Sequence, residues 1–162
     1  MVNEQIYQTI HQGTGFFQHG HTYLGHAVAC AAALAVQRVI ERENLLQRVR
    51  TMGTLLMDLL VTQFGEHPYV GDIRGRGLFV GLEFVADKSS KSPFEPSLEV
   101  HHRLKSAAMD NGLICYPMGG TVDGRQGSHV LLAPPYNVSE NQLSGIVDRL
   151  AVSLDTTLKT LD

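Results

Sequence analysis

The residues that most invite chemistry are His19-Gly20-His21-Thr22-Tyr23-Leu24-Gly25-His26, followed at once by Ala27-Val28-Ala29-Cys30-Ala31-Ala32-Ala33-Leu34. No helical period precedes Gly25, whereas five of the seven positions from 27 to 33 are alanine, the best helix former. The stretch reads as a loop emptying into a helix. A hydroxyl and a row of backbone N–H groups lie just ahead of a helix N-terminus, where the N–H groups of the first turn lack intrahelical acceptors and the dipole is positive. Such a place suits an anion, phosphate above all. The same residues suit an ordinary cap, with the Thr22 oxygen accepting from an N–H a few residues on. His19, His21 and His26 raise a third guest, a metal. Zinc draws on full sets of Cys and His ligands at defined spacings, and the one nearby cysteine, Cys30, falls among alanines expected in a core, so no metal is expected.

Two further groups carry charge or imidazole. Arg74 and Arg76 flank Gly75 and raise a phosphate or carboxylate reading; the expectation is that one packs along a turn and the other is solvated, the usual state of surface charge. His101 and His102 are adjacent on an expected helix and so point in different directions, which argues against a shared metal.

The elements that must position these residues follow from periodicity. Residues 1–18 carry a short strand-to-helix pattern (Ile6, Tyr7, Ile10), a Gly13-Thr14-Gly15 break, and the apolar pair Phe16-Phe17, which as a surface would be sticky and in a dimer would be interface. The alanine helix runs from His26 to about Glu41. A second helix starts after Asn44, with Leu45, Val49, Met52, Leu56, Leu59, Leu60 and Gln63 on one stripe, and Gly65 with Pro68 ends it. From residue 69 the period changes. Ile73, Leu78, Val80, Leu82 and Phe84 alternate as in a strand, preceded by a Gly75-x-Gly77 kink. Residues 87–93 form a polar loop. Pro96 to Asn111 predicts an amphipathic helix with Val100, Leu104, Ala107 and Ala108 inward and Gly112 as its stop. Leu113-Ile114-Cys115-Tyr116 predicts a short buried strand, a glycine-rich loop follows over 117–127, and 129–133 predicts another strand that Pro134-Pro135 ends. Ser139 with Gln142 is a capping box for a last helix whose buried face is Leu143, Ile146, Val147, Leu150 and Leu154. The order implies a small α/β layer, helices covering one face of a mostly antiparallel sheet.

Composition sets the bounds. A 162-residue chain, folded as one domain, buries roughly 70% of its unfolded surface. Its 43% hydrophobic and 18% charged residues exclude a disordered chain. A net charge of −3 with no basic cluster argues against nucleic acid. No apolar run is long enough to cross a membrane, and residues 1–5 lack a signal peptide's charged and apolar regions. The two cysteines, Cys30 and Cys115, are far apart and in apolar contexts, which implies a reducing, cytoplasmic setting.

Three stretches in order resemble one family. Thr22-Tyr23-Leu24-Gly25-His26 with its alanine helix resembles the cofactor-phosphate turn of class III pyridoxal-phosphate-dependent aminotransferases. Asp72-Ile73-Arg74-Gly75-Arg76-Gly77-Leu78-Phe79-Val80-Gly81-Leu82-Glu83 resembles that family's Arg-Gly-x-Gly-Leu strand pair, and Leu131-Leu132-Ala133-Pro134-Pro135-Tyr136-Asn137-Val138-Ser139-Glu140 resembles the approach to its last helix. Tyr116-Pro117-Met118-Gly119-Gly120 is most similar to the omega-aminotransferase-like members. The resemblance implies the C-terminal part of a fold-type I transferase, with residues 1–42 as the tail of the large, cofactor-binding domain and residues 43–162 as the small domain. It implies pyridoxal 5'-phosphate as cofactor, amines, amino acids, keto acids and aldehydes as substrates, and a homodimer in which Thr22, with Tyr23 beside it, reaches the phosphate of the partner subunit's cofactor. It also implies a substrate-binding role for Arg125, because omega-aminotransferase-like members carry near this place an arginine that swings in to pair a substrate carboxylate and out to admit an apolar group. The spacing here is one residue shorter than the commonest version, and Ser128 stands where Asp is frequent; the other reading of Arg125 is a solvated loop residue.

The family's Schiff-base lysine lies ahead of the position matching Met1, and none of Lys88, Lys91, Lys105 and Lys159 stands in a comparable context. The expectation is therefore a C-terminal fragment with no catalytic residue of its own, inactive alone. Leu131 occupies a position, two before the Ala-Pro-Pro run, where many members that bind an α-carboxylate have arginine. Two other readings remain: a non-catalytic phosphate-binding or dimer-capping module, and a truncated chain with no stable native state.

Overall fold

The structure is a computed structural model that describes residues 2–161, and the chain divides into two units, residues 1–39 and 40–162. In the first, α1 (Glu4–Gln12) is capped by Asn3, whose Oδ1 accepts the Ile6 N–H at 2.9 Å. This is a plain helix where a strand-to-helix pattern was expected, because a cap and i,i+4 bonds such as Gln8 to Glu4 and Thr9 to the Gln5 carbonyl outweigh a short apolar run. Residues 13–26 are turns and extended chain, and α2 (Ala27–Arg42) follows and carries the chain across the boundary. No residue from 2 to 39 is buried. That corrects one expectation: Cys30 and the alanines are not core but exposed. Alanine provides helix propensity and permits close approach; it does not supply a neighbour to approach.

The second unit holds the core. Helix α3 (Leu45–Phe64) buries Leu45, Met52, Gly53, Leu56, Leu60 and Phe64, so the stripe lies where its spacing put it, except that Phe64 and not Gln63 closes it. Strands β1 (Val70–Arg76) and β2 (Phe79–Phe84) form a hairpin over Gly77, which has φ +57°. The next segments are a 3-10 turn (Pro96–Leu98), helix α4 (Val100–Asp110), strands β3 (Tyr116–Gly119) and β4 (Ser128–Leu132), and helix α5 (Glu140–Leu158). The four strands make one antiparallel sheet in the order β1-β2-β4-β3. Val80, Leu82, Phe84, Val130 and Leu132 point to one face, where they join the buried residues of α3, α4 and α5 in one hydrophobic cluster. This is the α/β layer that periodicity predicted. The capping box is present too: Ser139 Oγ accepts the Gln142 N–H and the Gln142 side chain accepts the Ser139 N–H.

One element moves. The strand expected over 113–116 begins only at Tyr116 and runs to Gly119. Helix α4 ends in a paired cap, the Leu113 N–H donating to the Ala108 carbonyl and the Gly112 N–H to that of Met109. Leu113 and Ala108 are both buried there, so Leu113 serves the helix end rather than the ladder, and Ile114 stands 87% exposed. Pro117 is tolerated in β3 because β3 is an edge strand.

Candidate cofactor and substrate site

The turn at residues 21–26 is built by histidine. His21 Nδ1 accepts the Tyr23 N–H at 3.1 Å and its carbonyl accepts the Leu24 N–H at 3.2 Å; the His26 N–H then returns to the Tyr23 carbonyl at 3.1 Å. Gly25 sits at φ +71°, a conformation side chains rarely adopt, and nothing else in the turn shares it. Helix α2 starts at Ala27, with His26 as its cap: the His26 carbonyl accepts from Cys30 at 3.0 Å and its Nδ1 from Ala29 at 3.4 Å. The cap reading of Thr22 is thereby corrected. His26 takes that role, and the Thr22 hydroxyl has no hydrogen-bond partner among the described residues. Thr22 is exposed, Tyr23 is 73% exposed with its ring edge-on to that of His26, and the amides of Ala27 and Val28 find no acceptor among the described residues. The turn thus presents a free hydroxyl and two free amides at the positive end of a sixteen-residue helix. Among the described residues no three His, Cys, Asp or Glu side chains converge as for a metal.

Arg125 lies in the second unit, in the loop joining β3 to β4. Three backbone bonds close that loop: Gly120 N–H to the Gly127 carbonyl at 2.9 Å, Val122 to Gln126 at 3.0 Å, and Gly124 to Gly120 at 3.1 Å. Asp123 accepts on one oxygen the N–H groups of Arg125 at 2.9 Å and Gln126 at 2.7 Å. Those donors, Gln126 foremost, hold its carboxyl below the usual carboxylate range. At the loop's base Thr121 Oγ1 and His129 Nδ1 are 2.8 Å apart. The Arg125 side chain is exposed and has no partner among the described residues. The loop backbone is tied down by these bonds, and Gly124 and Gly127, at φ +84° and +85°, fold it tightly.

Beside this loop the uncovered face of the sheet holds a cleft of about 570 Å³ whose walls include Phe79, Met118, Leu131, His129 and Thr121. Arg74 lies on the same face. Its guanidinium bonds to Asp72 and, across the strands, to Glu83 at 3.0 Å, and these partners, Asp72 foremost, raise its pKa. Instead of packing along a turn as expected, Arg74 is held by one carboxylate on its own strand and one across the strands, while Arg76 is exposed as expected. Beside Gly119 the His101 ring meets that of His102, centroids 4.2 Å apart, which corrects the expectation that these adjacent side chains point in different directions; burial first, then the neighbouring imidazole, lowers the His101 pKa. Sequence reasoning missed the functions of His21, His26, Glu83 and Asp123. Only Asp123 left a signal, since Asp-Gly marks a turn in which the carboxylate bonds its own backbone two residues on.

The profile of the family described as "Aminotransferase class-III" matches residues 1–154. The chain belongs to the class III aminotransferases. It is 45% identical over 150 residues to an aminotransferase of Gibberella zeae, covering 92% of this chain and 29% of that one. To the diaminobutyrate–2-oxoglutarate transaminase of Halomonas elongata it is 36% identical over 152 residues, 92% of this chain and 31% of the other. Among solved structures it superimposes on an (S)-enantioselective omega-transaminase from Thermomicrobium roseum with a TM-score of 0.81 at 32% identity, covering 97% of this chain and 33% of that one. A Bacillus anthracis aminotransferase gives a TM-score of 0.80 at 36% identity, over 95% and 34% of the two chains. The chain spans about a third of the length of the relatives it matches, and its sheet and helices match the C-terminal portion of the omega-transaminase fold.

Proposed function

We propose that the chain is the C-terminal part of a pyridoxal-phosphate-dependent aminotransferase that moves an amino group between an amine or amino acid and a keto acid or aldehyde. The observation that carries this is the turn at 21–26. Among the described residues the Thr22 hydroxyl and the Ala27 and Val28 amides have no partner, and the cap is supplied by His26, so the donors a phosphate dianion would need are unclaimed. The cofactor, when bound, supplies the electron sink on which transamination depends.

This chain's own residues then have limited tasks. Thr22 donates its hydroxyl proton to a phosphate oxygen, Tyr23 flanks it, and the α2 terminus adds its positive end. In a homodimer that phosphate belongs to the partner subunit's cofactor, and residues 1–42 are the tail of the large domain. Arg125 pairs an acceptor's carboxylate at the sheet's open cleft and withdraws for an uncharged group, while Leu131, half-buried in the cleft wall, offers an apolar contact where an α-carboxylate clamp would need charge. The cysteine usage supports a cytoplasmic location.

The chain by itself does no chemistry on this reading, because none of its four lysines stands where the family's cofactor-bearing lysine would. Mixed with pyridoxal phosphate and reduced with borohydride, the isolated chain should give at most scattered surface labelling and no transaminase activity. A stable adduct on one specific lysine would overturn this. If the full-length dimer also fails to bind the cofactor, the non-catalytic phosphate-binding or dimer-capping module takes its place.

A further inference from the structure

We propose that Asp123 is the positioning residue for Arg125, and that its carboxylate thereby sets the preference for acceptors bearing a carboxylate over uncharged ones. The inference rests on the substrate-binding reading of Arg125. An arginine that swings between two positions needs a fixed pivot, since any freedom of the backbone is lost again when the guanidinium engages its ligand. The loop supplies one. Its three backbone bonds close it from Gly120 to Gly127, the Thr121–His129 contact at 2.8 Å pins its base, and Asp123 Oδ1 holds the amides of Arg125 and Gln126 themselves. The second carboxylate oxygen receives the Gln126 side chain at 3.4 Å.

The same bonds settle a rivalry. Asp123 is the nearest carboxylate in sequence to Arg125 and would serve as an ion-pair partner if it were free. Engaged with two backbone N–H groups, it makes no salt bridge among the described residues, and the Arg125 guanidinium, unpaired among them, is open to an external anion. The two possible effects of this carboxylate have opposite signs, which makes the proposal sharp. As a mere negative charge near Arg125, Asp123 repels a substrate carboxylate, and its removal should lower KM for keto acids. As a pivot it organises Arg125, and its removal should raise that KM.

The test compares Asp123→Ala, Asp123→Asn and Arg125→Ala in the full-length holoenzyme, with a 2-oxo acid and a simple aldehyde as acceptors, and follows amide hydrogen exchange at residues 125 and 126. Asp123→Ala should raise KM for the oxo acid about three- to tenfold, short of the roughly hundredfold that a full ångström of misplacement can cost. It should leave the aldehyde KM and both kcat values nearly unchanged, as expected for a loss of uniform binding. Exchange of the two amides should quicken about tenfold as their acceptor goes. Asp123→Asn, which keeps an acceptor oxygen without the charge, should restore both readouts. A selective effect of Arg125→Ala together with an unchanged or lowered oxo-acid KM in Asp123→Ala overturns the positioning role while sparing the Arg125 reading. Equal effects on both acceptors with a lowered melting temperature also overturn it, reducing Asp123 to a structural turn residue. A silent Arg125→Ala removes both readings together.

Discussion

The two units of this chain differ in what they do with apolar surface. Between residues 2 and 39 nothing is buried, although Phe16, Phe17, Tyr23, Leu24, Val28 and Leu34 all stand more than half exposed there. From residue 45 onward the same residue types close a core in which Leu56, Leu60, Leu82, Leu104, Leu143 and Leu150 have no solvent exposure. The second unit holds its shape by its own burial; the first relies on local hydrogen bonds, with His21 and His26 accepting backbone N–H groups at its turn and Asn3 accepting one at the start of α1. Exposed apolar side chains gathered in this way are what an interface would cover, and Tyr23 and Leu24, next to Thr22, are among them. The lesson is that the proposed phosphate turn belongs to a unit with no buried residue of its own between 2 and 39, whereas the loop carrying Arg125 sits on a layer with a closed core.

The largest effect should come from breaking the second unit's core. Leu104→Ala removes a fully buried side chain, and such truncations cost about 2–5 kcal/mol. Leu34→Ala, at a position 51% exposed, should change the unfolding free energy read from urea denaturation by no more than surface substitutions do, roughly 0.5 kcal/mol. Similar losses for both would mean that the first unit contributes to the same cooperative core, contradicting the contrast.

A second, smaller effect tests how tightly that core is closed. A Cβ on Gly53 in α3 would stand 2.5 Å from the Cα of Gly77 in the β1–β2 turn. Helix propensity alone favours Gly53→Ala by about 1 kcal/mol, but overpacking a close backbone contact costs roughly 1–3 kcal/mol. The variant should therefore melt lower than the parent. A higher melting temperature would show that the helix and turn separate at little cost.

The smallest perturbation leaves stability untouched and reads the two regions through their cysteines. Burial pushes the Cys115 thiol up to about 11, whereas Cys30 is exposed on α2. Because the thiolate is the reactive form, Cys115 at pH 8 carries only about one part in a thousand of it, and its alkylation should quicken with every step of pH toward 11. In the isolated chain iodoacetamide at pH 8 should mark Cys30 well ahead of Cys115. Equal labelling would mean that the second unit opens readily.

Much of the second unit was legible because its signals are local. The spacing of Leu45, Met52, Leu56 and Leu60, the alternation of Val80, Leu82 and Phe84, and the Ser139–Gln142 box each rest on residues a few positions apart, and each stands as read. Errors fell where a distant or competing partner decides. Leu113 is drawn into the α4 cap rather than a strand, and Arg74 is claimed by Glu83 through a strand register that the linear order conceals. At the candidate site, Thr22 and Arg125 were singled out by resemblance, while the residues that hold them, His21, His26 and Asp123, were not. A histidine accepting an N–H through Nδ1 has no distinctive spacing, so among the open readings only the Thr22 hydroxyl stood as a cap.

Thr22 is the residue on which the proposed cofactor contact depends, and the dissociation constant of pyridoxal phosphate from the full-length dimer carrying Thr22→Ala tests that contact most directly. A hydrogen bond to a charged group is worth roughly 1.5–3 kcal/mol, so cofactor affinity should fall about ten- to a hundredfold. The melting temperature of the cofactor-free protein should stay where it was, since His26 and not Thr22 caps α2. An unchanged dissociation constant accompanied by a lower melting temperature would contradict the account and return Thr22 to the part of an ordinary structural turn residue.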